Sequence, residues 1–176
     1  HHDLAMQPAN EATVLANFDD KHHEENGIKT HFFRRGPKFY ARTEGPDGKD
    51  ADFEITYVFG IDPLQQYLIA FPGGRYQVLG SSWDARPKEA GGQRWYSNYP
   101  GETIHFDDVL HWTQQSQNWN HMCAECHSTN LRKGYDASSD SFKTEWSEID
   151  VACEACHGPG SVHQKQASQA ASGKQP

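Results

Sequence analysis

Between residues 28 and 60, apolar and polar side chains alternate in short runs. The segments "IKTHFFRR" (28–35), "KFYART" (38–43) and "ADFEITYVFG" (51–60) are rich in aromatic and β-branched residues, the signature of half-buried strands. They are separated by "GP" and "EGPDGK", which are turn sequences. The pattern predicts a three-stranded antiparallel meander. "DPLQQYLIAF" (62–71) fits either a short helix or a strand. "GRYQVLGSSW" (74–83) reads as a fourth strand after a turn at Pro72-Gly73-Gly74. Upstream, "EATVLANF" (11–18) has the spacing of one or two helical turns. Residues 84–101 are punctuated by Gly and Pro and read as irregular. From about 102 onward short helical pieces are expected, and "QKQASQAASGKQP" at the end is polar and of low complexity. Apart from one motif that occurs twice there is no internal repeat.

These runs divide the chain into an N-terminal arm (1–27), a β-rich subdomain (28–101), a motif-bearing region (102–163) and a polar tail (164–176). Composition changes the picture. Only 35% of the 176 residues are hydrophobic, and the mean hydropathy of −0.88 lies near the border with disordered chains. Five Trp, seven Tyr and nine Phe nevertheless favour folding, with something other than protein supplying part of the core. The net charge of −8 argues against nucleic acid as a partner, because phosphate binding needs clustered Lys and Arg. No apolar run reaches transmembrane length. The opening His1-His2-Asp3, without a signal peptide, reads as a processed or trimmed product.

The repeated motif is Cys-x-x-Cys-His. It occurs in "NHMCAECHSTN" (120–130) as Cys123, Cys126 and His127, and in "VACEACHGPGSVH" (151–163) as Cys153, Cys156 and His157. This is the attachment sequence of a c-type haem. Two thiols three positions apart lie on one side of a helical turn and can reach both vinyl groups of one porphyrin. The histidine that follows can take the iron. A four-cysteine zinc site would use the same pairs but leave both histidines unexplained. Two disulfides would need an oxidoreductase setting that is not visible. Two covalently attached haems c are therefore expected, and with them an extracytoplasmic location, periplasmic or at the cell surface. The porphyrins would also supply the missing apolar surface.

Nine further histidines remain: His1, His2, His22, His23, His31, His105, His111, His121 and His163. Only two are needed as distal ligands, so most are bystanders. The candidates in falling order are His163, His2, His111, His121 and His1. His163 lies six residues past His157, a loop short for reaching round its own porphyrin and better suited to the haem on Cys123 and Cys126. For the second haem, His2, His111 and His121 compete. Met122 is too near Cys123 to reach the distal face, and Met6 is a remote option. Trp112, Trp119 and Trp146 flank the motifs, as packing groups in the first instance.

Beyond the motifs, "PLQQYLIAFPGGR", "GGQRWY", "HWTQQSQNWNHMCAECHSTNL", "TEWSEIDVACEACHGPGSVH" and the opening "HHDLAMQP" resemble the multihaem cytochromes c that often carry tetratricopeptide repeats, which are related to cytochromes of the hydroxylamine-oxidoreductase type. The resemblance covers residues 1–163. It implies His2, or failing it His1, and His163 as ligands to neighbouring haems. The upstream haem motif of that group and its helical repeats have no counterpart here.

The expected architecture is α+β: a small antiparallel β meander plus a haem-wrapping region of short helices and long loops. The expected function is electron transfer through two closely spaced bis-histidine haems, with other redox proteins as partners and no enzymatic activity. Self-association through an N-terminal His ligand would extend this into a head-to-tail filament. The alternatives are a reductase or oxidase acting on a small nitrogen or sulfur oxyanion at an open haem, and a haem-based redox sensor.

Overall fold

The computed structural model describes residues 6–171. Nine strands form one antiparallel sheet: β1 (Met6–Pro8), β2 (Lys21–Glu25), β3 (Ile28–Arg35), β4 (Lys38–Glu44), β5 (Asp50–Phe59), β6 (Leu64–Phe71), β7 (Arg75–Val78), β8 (Ser81–Asp84) and β9 (Arg94–Ser97). The main path runs β2-β3-β4-β5-β6-β8-β9, with β1 on β5 and β7 on β6. The sheet curls until its ends approach: the Ser97 amide on β9 donates to the Glu25 carboxylate on β2 at 2.7 Å. Curling buries one face and leaves few open edges.

The expectation of an α+β fold is corrected by this sheet. The chain is mostly β, and the sheet is a nearly closed barrel rather than a small meander. Three of the strands escaped the sequence pattern for identifiable reasons. β2, "KHHEE", has no apolar alternation and borders solvent. β9, "RWYS", sits in the Gly- and Pro-punctuated stretch, held by pairing with β8. β1 is three residues long and is set by pairing with β5. Residues 11–13 make a turn, and no helix forms across 11–18. Beyond residue 102 the chain does not wrap in helices. Helices α1 (Trp119–Met122), α2 (Ala124–His127) and α3 (Cys153–His157) are single turns, and α4 (Ser161–Ala171) is the one longer helix among the described residues. Between α2 and α3 lies a two-stranded hairpin of β10 (Tyr135–Asp136) and β11 (Ser141–Phe142).

Aromatic residues supply the core that composition left in question. Phe18 plugs the barrel, with Phe32, Phe39, Tyr67 and Trp95 edge-on to its ring at 5.1–5.7 Å. Edge-on contacts place positive ring edges against negative faces. A second cluster covers the outer face of β5–β7: Met6, Phe59, Leu68, Val78, Trp119 and Ala124. The strands serve both faces by alternation, Tyr67 and Ile69 inward and Leu68 outward. Ile55 and Val58 both join the inner cluster although three residues apart. An irregularity between Ile55 and Tyr57 shifts the register there, as a bulge does. Trp119, Cys123, Ala124, Leu131, Trp146 and Ile149 of the motif-bearing region pack on this outer face.

Candidate haem-attachment site

The first motif is riveted to the sheet by buried amides. The Asn118 side chain accepts from the His121 amide at 3.0 Å and caps α1, while its NH2 donates to Gln77 Oε1 at 3.0 Å. Gln77 in turn donates to the carbonyls of Trp112 and Gln114. Asn120 accepts from the Tyr76 amide at 2.7 Å and donates to the Gly74 carbonyl and Thr144 Oγ1. These polar groups are buried, so each needs its partner. Gly74 also sits where a side chain cannot: its φ is +70° and an added Cβ would lie 2.2 Å from the Phe142 carbonyl oxygen. That close approach seats β11 beside the turn before β7. Arg75 then ties Asp140 at 2.6 Å.

On this platform Cys123 is half-buried at the junction of α1 and α2, and Cys126 is exposed one turn later. Burial raises the Cys123 thiol above its ordinary value, with the neighbouring Cys126 adding to it. His127 packs against the Phe59 ring at 5.5 Å. Burial lowers its pKa and so favours the neutral imidazole that a metal ligand must be. Its Nδ1 is buried without a hydrogen-bond partner.

The 26 residues between Cys126 and Cys153 fold back on themselves. Antiparallel bridges join Thr129 to Glu148 and Arg132 to Glu145. Thr129 Oγ1 donates to the Asp150 carbonyl at 2.8 Å and accepts from the Ala152 amide at 2.8 Å. One side chain thus fastens the end of the first motif to the start of the second. In α3 Cys153, Cys156 and His157 are all exposed, and neither α3 nor α4 buries a side chain. Among the described residues the four cysteines form no disulfide and do not converge into one ligand cluster. Two separate Cys-Cys-His sets, each on a single helical turn with at least one thiol outward, fit a haem c apiece.

The distal candidates are scattered. His163 lies on α4 and is exposed. His121 is exposed and lines a groove of about 590 Å³ with Arg75, Lys133 and Tyr135. His111 is buried, with Nδ1 2.8 Å from Thr113 Oγ1, in a cavity beside His23, Thr30 and Thr43 that contains no motif residue. His1 and His2 lie outside the described residues. Met6 is fully buried in the outer cluster and Met122 is exposed. Trp119 and Trp146 meet edge-on at 5.8 Å in that same cluster, and Trp112 packs in the barrel core. Gln77, Asn118, Asn120 and Thr129 lie outside the haem-attachment motifs and the candidate ligands. The available signal was a glutamine between two apolar strand positions and an Asn-x-Asn ahead of the motif.

Residues 81–158 match the family model of cytochrome c554 and c-prime. This segment is similar to c-type cytochromes. The matched stretch starts at β8 and ends just past His157, so it includes both motifs. Comparison with curated proteins and with solved structures gave no match. The similarity supports covalently bound haem c and electron transfer. No helix among the described residues is long and apolar enough to cross a membrane.

Proposed function

We propose that the chain is an extracytoplasmic dihaem cytochrome c that carries electrons through two closely spaced haems, each with histidine on both sides of its iron. The observation that carries this reading is the Thr129 clasp, which fastens the chain just after the first Cys-x-x-Cys-His turn to the chain just before the second, within a segment similar to c-type cytochromes. Haem c supplies a one-electron iron couple tuned by its axial ligands. The chain's residues would hold it: Cys123, Cys126, Cys153 and Cys156 would attach through thioether bonds, each S–H adding across a vinyl group. His127 and His157 serve as proximal ligands. His163, His2, His111, His121 and His1 remain the distal candidates. The partners in this reading are other redox proteins, and the kinship is with the multihaem group named above.

The test is an optical spectrum of the dithionite-reduced protein with and without carbon monoxide. Sharp α and β bands unchanged by the gas are expected of two six-coordinate irons. A shift on adding it would mean an open iron and would move the assignment to the oxyanion reductase. The same proposal includes His2 ligating a haem of the next copy, head to tail. Sedimentation at nanomolar concentration is then expected to show oligomers, and monomers with both irons six-coordinate would exclude the contact.

A further inference from the structure

A second candidate metal centre lies on the barrel wall, built from residues outside both haem motifs. His22 on β2 and His31 on β3 are directly paired across the hairpin. Their rings are stacked, 4.2 Å apart and 6° from parallel. Asp20, just before β2, places Oδ1 2.6 Å from His31 Nε2. One ligand atom from each of the three lies within 4.8 Å of the others. Around a tetrahedral ion with bonds of about 2.0–2.2 Å, ligand atoms sit roughly 3.3–3.6 Å apart, so small side-chain rotations complete the set.

The surroundings favour these three acting together. Arg42, opposite His31 on β4, is drawn away to Asp52 at 3.1 Å. Arg34 is engaged by Glu11 and Asp19. Neither cation therefore neutralises Asp20. Phe33 stacks on His31 at 4.9 Å and braces its ring. Asp20 and His22 are exposed, which leaves an entry path and room for water as a fourth ligand.

We propose that Asp20, His22 and His31 bind a divalent late first-row transition-metal ion, with Zn²⁺ as the ion to test. Two imidazoles and one carboxylate are the donor types such ions take. The bound ion would fasten the segment entering β2 to the β2–β3 hairpin.

The experiment is calorimetric titration of the haem-loaded full chain with Zn²⁺, in parallel with His22→Gln, His31→Gln and His105→Gln. The expected result is a one-to-one event that His22→Gln and His31→Gln each weaken by more than tenfold. Changes at groups that only orient ligands already cost about 10–100-fold in metal affinity. His105→Gln, at an exposed histidine paired with Glu44 and outside the cluster, is expected to keep the event. His22 is exposed, so its substitution should leave the fold intact, with an unchanged haem spectrum as the check. Absence of a one-to-one event in the unaltered chain would overturn the proposal. So would affinity unchanged in His22→Gln, or equal weakening in His105→Gln.

Discussion

Replacing Cys123 and Cys126 together by alanine is expected to lower covalently bound haem from two per chain to one, read as haemochrome per protein and by intact mass. Cys153→Ala with Cys156→Ala is expected to do the same. The two pairs should differ in what else they disturb. Cys123 is packed against the outer cluster, so its loss should cost on the order of 1 kcal/mol of fold stability. The α3 residues touch no core, so their substitution should leave unfolding of the barrel within about 0.5 kcal/mol, the usual range for surface changes. Two haems retained in either variant would defeat the assignment of the motifs. An unaltered protein without haem would return the four thiols to other chemistry.

Trp119→Ala should be the most damaging single core substitution near the site. Trp119 is fully buried and meets Tyr76 and Trp146 edge-on. It is also the first residue of α1, so its indole anchors the first motif to β6 and β7. Removing a buried Trp costs about 3–5 kcal/mol, the lost transfer energy plus the cavity left behind. Urea unfolding followed by the far-UV signal would measure it. The indole Nε1 is buried without a partner, so Trp119→Phe loses no hydrogen bond and should recover most of the stability. A loss below about 1 kcal/mol for Trp119→Ala would mean that this cluster does not hold the motif in place.

Parts of this molecule were legible along the chain and parts were not. The runs at 28–35, 38–43 and 51–60 read as strands because their apolar positions alternate and turn residues bound them; they are β3, β4 and β5. β6 stayed ambiguous between helix and strand because both its faces are buried, which erases alternation. "GRYQVLGSSW" reads as one strand, yet it splits into β7 and β8 at Leu79-Gly80, where β6 hands its pairing from one to the other. The tail read as low complexity carries α4, whose exposed side chains leave no apolar stripe to detect.

The proposed attachment chemistry rests on sequence alone, because Cys-x-x-Cys-His is a local geometric requirement contained in five consecutive residues. The net charge and the aromatic content were equally plain in the sequence. The closure of the sheet and the placement of the motifs were decided only by tertiary structure. They depend on contacts far apart in the chain: Glu25 with Ser97, Gln77 with Asn118, Asn120 with Tyr76. A polar strand such as "KHHEE" carries no signal of its own, since pairing with β3 makes it a strand. The same pairing sets His22 against His31, nine residues apart in the sequence and stacked in the fold.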